Sequence, residues 1–184
     1  MNTYIAFLRG INVGGNNILP MKELSKVLED LGLQNVKTYL ASGNVVFQSE
    51  MTDLAGLSGD IKAAIGRSHG FTPQILIRSA QELRQAMTAN PFPKGESEPK
   101  TLHAYFLESV PTSPDLAQLD SVKSASERYK LVDTVFYLYA PDGIGRSKMA
   151  TSVEQALGVP ATARNWRSVS NVMALAAELG DNSG

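Results

Sequence analysis

Residues 35–49 read NVKTYLASGNVVFQS, and this stretch carries the signature of a β-hairpin. Two runs rich in β-branched and aromatic residues flank the turn formers Ser42, Gly43 and Asn44. Glycine and asparagine tolerate the backbone conformations that a tight turn requires. The stretch therefore predicts two adjacent antiparallel strands, and the fold class follows from what stands on either side of them.

The elements around this hairpin have the order of a split β-α-β unit. TYIAFL at 3–8 predicts a first strand, and PMKELSKVLEDLG at 20–32 predicts a helix with proline in its first turn and glycine at its end. A second helix is expected at about 53–68, and TPQILIRS at 72–79 closes the unit as a strand. The resulting β-α-β-β-α-β order is that of a ferredoxin-like sandwich.

The same element order recurs after PFPKGESEPK at 91–100, a proline-rich and charged stretch that we interpret as a linker. We therefore predict an α+β fold, a tandem duplication of ferredoxin-like βαββαβ sandwiches with an extra linking helix and a C-terminal helix. The predicted divisions are a first subdomain at 1–79, a linking helix and linker at 80–100, and a second subdomain with the terminal helix at 101–184. The repeat rests on element order, since the halves share no residue-level identity.

Two helix starts are marked by capping residues. Ser79 and Glu82 have the spacing of a capping box, which predicts a helix that ends before Pro91. In the second half, Ser113 is expected to cap a helix that has Pro114 at its first position.

Composition excludes several classes of function. The chain of 184 residues has a net charge of −1, which argues against a protein that coats nucleic acid or a membrane surface. It contains no cysteine, so disulfides, thiolate nucleophiles and cysteine–zinc sites are excluded. The two histidines, His69 and His103, lack metal-ligand spacing. With no signal-peptide pattern and no run approaching the ~20 apolar residues of a membrane span, we expect a soluble cytosolic protein.

In the first half, the loop LRGINVGGN at 8–16 is the main candidate for a binding segment. It is about ten residues long, against roughly 2–6 for a usual βα connection. Its glycines could form an anion-binding nest or could only permit an irregular turn. Arg9 could hold a phosphate or carboxylate, or could form a structural salt bridge. The stretch matches neither the Walker A pattern nor GxGxxG.

The asparagines and Ser42 could likewise have either a functional or a structural role. Asn12, Asn16 and Asn44 could read a ligand's donors and acceptors, but asparagine in turns more often satisfies its own backbone. Ser42 could act as a nucleophile only beside a base, and neither histidine is expected near it. In the ferredoxin-like topology, the loop after strand 1 and the hairpin emerge at the same end of the sheet.

The second half pairs PDGIGRSK at 141–148 with TARNWRS at 162–168, since both are expected at one end of its sheet. Arg146, Ser147 and Lys148 stand at a predicted helix start, where an anion is favoured; the alternative is a solvated basic turn. Trp166 and a neighbouring arginine could stack on a planar ligand, or Trp166 could pack the last helix onto the sheet. We hypothesise that the two clusters face each other across one cleft.

Together, LRGINVGGN, PMKEL, TYLASGNVVF, GRSK and TARNW make the chain similar to a bacterial family known as domain of unknown function 1697. The resemblance implies tandem ferredoxin-like subdomains and brings no activity or cofactor. Arg167 stands where members of that family often have asparagine, which leaves the role of that position open. The family's motif residues fall on Arg9, Gly10, Asn12, Gly14, Gly15, Ser42, Gly43, Asn44, Ser147, Lys148, Arg164, Asn165 and Trp166.

Three functions remain open at this point. The first is binding of an anionic, phosphate-containing or nucleotide-like small molecule, with or without catalysis. The second is binding of single-stranded nucleic acid, for which Tyr4 and Phe47 would be the exposed aromatic residues, although the charge is unfavourable. The third is a structural or interaction protein without a ligand. The predicted ligand-binding set is Arg9, Gly10, Asn12, Gly14, Gly15, Asn16, Ser42, Gly43, Asn44, Arg146, Ser147, Lys148, Arg164, Asn165 and Trp166.

Overall fold

The computed structural model describes residues 1–181 and divides the chain into two compact units. The first unit combines Met1–Gln85 with the chain from Ser170 onward, and the second unit is Ala86–Val169. The terminal helix thus begins in the second unit and continues into the first. The predicted divisions at residues 79 and 100 assign that helix wholly to the second subdomain, and they remain a proposal. The last three residues of the predicted second subdomain lie outside the described part.

The first unit contains one antiparallel sheet with the strand order β2-β3-β1-β4. The hairpin predicted at 35–49 is present as β2 and β3, which pair through Tyr39 and Asn44. The elements of this unit are β1 (Asn2–Arg9), α1 (Met21–Asp30), β2 (Gln34–Tyr39), β3 (Asn44–Ser49), α2 (Leu54–His69) and β4 (Gln74–Ser79).

Helical and strand periodicities build the core of this unit. Leu24 and Leu28 of α1 lie one turn apart, and so do Ile61 and Ile65 of α2. These side chains pack against alternate residues of the strands, since successive side chains of a strand point to opposite faces. The strand residues in this core include Tyr4, Ala6, Leu8, Val45, Phe47, Ile75 and Ile77.

The second unit repeats this arrangement with the strand order β6-β7-β5-β8. Its helices bury Leu119, Val153 and Leu157 against Tyr105 and Phe136 of the sheet. The elements from residue 80 onward are α3 (Ala80–Thr88), α4 (Lys94–Ser97), β5 (Leu102–Leu107), α5 (Leu116–Val122), β6 (Arg128–Val132), β7 (Val135–Tyr139), α6 (Lys148–Leu157), β8 (Ala161–Asn165) and α7 (Trp166–Asp181).

The predicted α+β class and its duplication are confirmed as two four-stranded antiparallel sheets, each with helices. The capping box is also present: Glu82 Oε2 accepts from the Ser79 amide at 2.7 Å, and Ser79 Oγ accepts from the Glu82 amide at 3.1 Å. Within residues 1–181, no helix is long and apolar enough to cross a membrane.

One predicted cap is wrong. Helix α5 begins at Leu116, and its cap is Asp115, whose Oδ1 accepts from the Gln118 amide at 2.9 Å. Ser113 lies two residues before this position. Serine and aspartate are about equally good capping residues, so local sequence did not separate them. The linker prediction also missed α4, a single turn inside the proline-rich stretch.

Candidate functional site

The loop after β1 is a small hairpin of its own. The Asn12 amide donates to the Asn17 carbonyl and the Asn16 amide to the Val13 carbonyl, each at 3.0 Å. Gly14 and Gly15 occupy the two central positions with φ of +58° and +79°. Positive φ at both positions defines a type I′ turn, which explains why two glycines stand here. The turn geometry alone therefore accounts for this glycine pair.

Asn12 connects this loop to the β2–β3 hairpin through side-chain hydrogen bonds. Its Nδ2 donates to the Leu19 carbonyl at 2.9 Å and to the Ala41 carbonyl at 2.8 Å. Its Oδ1 accepts from the Leu19 amide at 2.7 Å. The loop after β1 and the hairpin therefore lie together at one end of the sheet, as the topology predicts. All three bonds go to backbone groups, so they account for Asn12 structurally.

The turn of the β2–β3 hairpin is equally constrained. Asn44 is fully buried, and its Nδ2 donates to the Tyr39 carbonyl and to Ser42 Oγ. Gly43 has a φ of +82°, and a Cβ atom there would lie 2.7 Å from Leu8 Cβ. Glycine is thus required at 43 by both backbone conformation and space.

The remaining first-unit candidates are exposed. Arg9, Gly10 and Asn16 all face solvent, and Arg9 Nη1 donates to Gln74 Oε1 at 3.3 Å. Gly10 has a φ of +77°, and its carbonyl accepts from Asn17 Nδ2 at 2.8 Å. No sequence pattern had singled out Asn17. It could have been noticed as one of two consecutive asparagines beside a turn.

Three exposed aliphatic side chains also lie at this end of the first sheet. Val13, Ile18 and Leu40 are 65 %, 55 % and 57 % exposed. Leu40 also has a φ of +59°, a conformation that is costly for a bulky side chain. Sequence analysis missed this group because apolar residues inside predicted strands and loops carry no sign of their exposure.

In the second unit, strand register brings the two predicted segments to one end of the sheet. Leu102 of β5 pairs with Tyr139 of β7, and His103 pairs with Asn165 of β8. The chain segments that follow β7 and β8 therefore both emerge beside the start of β5. The segment after β7 leads to Arg146, Ser147 and Lys148, and the segment after β8 begins at Trp166.

A cavity of about 330 Å³ lies in front of α6. Arg146 and Lys148 line it together with Glu127 and Asp142. The remaining lining residues are Val122, Ser124, Ala140, Gly143 and Ser147. Two cations and two carboxylates therefore share one small space, a balance that sequence spacing did not reveal.

The segment before α6 presents the helix N-terminus to this cavity. Ser147 caps the helix, with Oγ accepting from the Ala150 amide at 3.0 Å. Arg146 ends a 3₁₀ turn at Ile144–Arg146, and Lys148 is the first residue of α6. Both cations are exposed, and within the described chain neither has an acidic partner at ion-pair distance.

The TARNW segment joins the end of β8 to the start of α7. Asn165 Oδ1 accepts from the Ser168 amide at 2.9 Å and so caps α7. Trp166 is only 4 % exposed, which agrees with the packing alternative and leaves no free face for stacking. Burial lowers the pKa of Arg164 to about 10, and its Nη1 donates to the Ala163 carbonyl at 2.9 Å. Its guanidinium still carries a charge at neutral pH.

His103 is a buried polar residue of the second sheet. It lies on β5 with 8 % exposure, and its Nδ1 has no hydrogen-bond partner among the described residues. Burial lowers the pKa of His103 to about 4, so the imidazole is neutral near pH 7.

Two other features bear on the predicted functions. Tyr4 and Phe47 are buried in the first core, at 5 % and 0 % exposure, so neither aromatic ring is open to a nucleobase. Within residues 1–181, no three His, Asp or Glu side chains are grouped as a metal site would require.

Residues 1–137 match the family described as "Protein of unknown function (DUF1697)". The chain belongs to the DUF1697 family. The resemblance drawn from the sequence motifs is thereby confirmed. GRSK at 145–148 and TARNW at 162–166 lie beyond the matched residues.

This DUF1697 chain is also similar to a solved structure, that of the conserved bacterial protein SP0830 from Streptococcus pneumoniae. The two share 22 % sequence identity with a TM-score of 0.69, over 95 % of this chain and 98 % of that chain. Likeness at this identity shows a common fold alone. None of the curated proteins matches the chain.

Proposed function

We propose that this DUF1697 protein binds an anionic small molecule in the cavity in front of α6. The observation that carries the proposal is the pair Arg146 and Lys148, two exposed cations without acidic partners among the described residues. Each lies beside the N-terminus of a ten-residue helix. The cleft predicted between the two subdomains is a separate hypothesis, and the site proposed here does not depend on it.

Electrostatics support an anion at this position. The first amides of a helix lack intrahelical partners, and the helix dipole adds partial positive charge there. Two like charges beside that end are unfavourable, and neither Glu127 nor Asp142 of the cavity pairs with them at ion-pair distance. A phosphate or carboxylate would interact with the amides and both side chains, and charge-assisted bonds of this type are the stronger ones.

The fold assignment behind this proposal is ferredoxin-like for both units. Each unit has the element order βαββαβ and an antiparallel sheet in which the first strand lies between the third and the fourth. That order supports the assignment. Nucleic-acid binding is not favoured, because Tyr4 and Phe47 are buried.

The proposal is tested by titrating the protein with inorganic phosphate in a calorimeter at low ionic strength. We expect the double variant Arg146→Gln, Lys148→Gln to bind at least about 10-fold more weakly than the wild type, because two charge-assisted contacts are lost. Both residues are exposed, so the melting temperature should change little.

A matched control removes two other charges from the same unit. Lys100 and Lys130 are exposed and do not line the cavity. The variant Lys100→Gln, Lys130→Gln should bind phosphate about as tightly as the wild type. The proposal would be contradicted if the wild type did not bind phosphate, or if the two double variants lost equal amounts of phosphate affinity.

A further inference from the structure

The cavity in front of α6 also contains a carboxylate without a counter-charge. Glu127 lines the cavity and is only 4 % exposed. Its Oε2 accepts from the Ser124 amide at 2.9 Å. Its Oε1 accepts no hydrogen bond from any described residue, and no cation lies at ion-pair distance from the carboxylate.

A largely buried carboxylate without a counter-charge favours a cationic partner. Burying a charge is unfavourable unless the charge is paired and hydrogen-bonded. Asp142, the other acidic residue of the cavity, differs because it is exposed and its Oδ2 accepts from Ser126 Oγ. Glu127 is therefore the acidic residue of this cavity that has an acceptor oxygen available and little contact with water.

The nearest basic side chain in sequence does not neutralise Glu127. Arg128 directs Nη1 to two backbone carbonyls, those of Ala125 at 2.7 Å and Glu127 at 2.6 Å. Arg146 and Lys148 line the same cavity and have no ion pair in the described chain. The cavity thus contains two cations and a carboxylate that are not paired with one another at ion-pair distance.

We infer that the ligand is zwitterionic: its anionic group binds at Arg146, Lys148 and the start of α6, and its ammonium group donates to Glu127. This inference rests on the proposed function and narrows its ligand class. A cationic donor supplies the counter-charge that the carboxylate lacks, and an anionic group supplies the one that Arg146 and Lys148 lack. A volume of about 330 Å³ is at the lower end of small-molecule sites, which suits a compact ligand.

The test compares two probes that differ in one group. O-phosphoethanolamine carries a phosphate and an ammonium group, and n-propyl phosphate replaces the ammonium by a methyl group. At neutral pH we expect the wild type to bind O-phosphoethanolamine about 10-fold more tightly, as one charge-assisted hydrogen bond would give. The variant Glu127→Gln should lose this preference and bind n-propyl phosphate at least as well as the wild type does.

The matched control is Glu108→Gln, since Glu108 is an exposed residue of the same unit just after β5, away from the start of that strand. It should keep the wild-type preference. Equal affinity of the wild type for both probes would overturn the zwitterion inference and leave anion binding intact. Binding of neither probe would overturn both proposals. If Glu127→Gln fails to fold, the probe pair on the wild type still decides the question.

Discussion

Replacing Asn12 by alanine is expected to lower the free energy of unfolding by about 3 kcal/mol. The variant loses three hydrogen bonds, to the Leu19 amide, the Leu19 carbonyl and the Ala41 carbonyl. Asn12 also has a φ of +53°, a conformation that asparagine tolerates better than alanine does. Urea unfolding followed by far-UV circular dichroism measures the difference.

Asn16 supplies the control for this measurement. It lies in the same loop and is exposed, and no described residue bonds to its side chain. Asn16→Ala should therefore change the free energy of unfolding by no more than about 0.5 kcal/mol. Equal effects of the two substitutions would show that the hydrogen bonds of Asn12 to Leu19 and Ala41 do not stabilise the loop. A ligand-binding role would then be the better explanation for Asn12.

Acidification is expected to destabilise the second unit through His103. Burial lowers the pKa of His103 from 6.5 to about 4. Between these values the unfolded chain binds more protons than the folded one, so stability rises with pH across that window. A lowering of this size corresponds to about 3 kcal/mol of the free energy of unfolding, which is present above pH 6.5 and lost by about pH 4.

The variant His103→Leu isolates this effect. It removes the titrating group and the unpartnered Nδ1, so its stability should fall by about 3 kcal/mol less than that of the wild type between pH 6.5 and 4. Trp166 is the only tryptophan and belongs to the second unit, so its fluorescence follows the unfolding of that unit. If the free energy of unfolding changed equally with pH in the wild type and in His103→Leu, the pH dependence would not be due to His103.

The fold could be predicted because its determinants are local. The hairpin at 35–49, the capping box at Ser79 and the glycine that follows α1 each depend on residues a few positions apart. Ser113 and Asp115 both fit the capping rule, and only the path of the chain decides between them. Boundaries set by tertiary structure, such as the division of α7 between the units, have no local signal.

The candidate site could be predicted only in part. Topology correctly grouped the loop after β1 with the β2–β3 hairpin, and the segment after β7 with the one after β8. The hydrogen-bond partners of Asn12 lie 7 and 29 residues away in the chain, so these bonds could not be predicted from local sequence. Glu127 was missed for a related reason, because burial and the lack of a counter-charge are properties of the folded chain alone.

The central claim is anion binding at the start of α6, and the most direct test is to record ¹H–¹⁵N spectra while inorganic phosphate is added. The account predicts saturable shifts of the amides of Ser147, Lys148 and Met149, which are lost in the double variant Arg146→Gln, Lys148→Gln. Shifts confined to the glycine turn at Gly14 and Gly15, or no saturable shift at all, would contradict it.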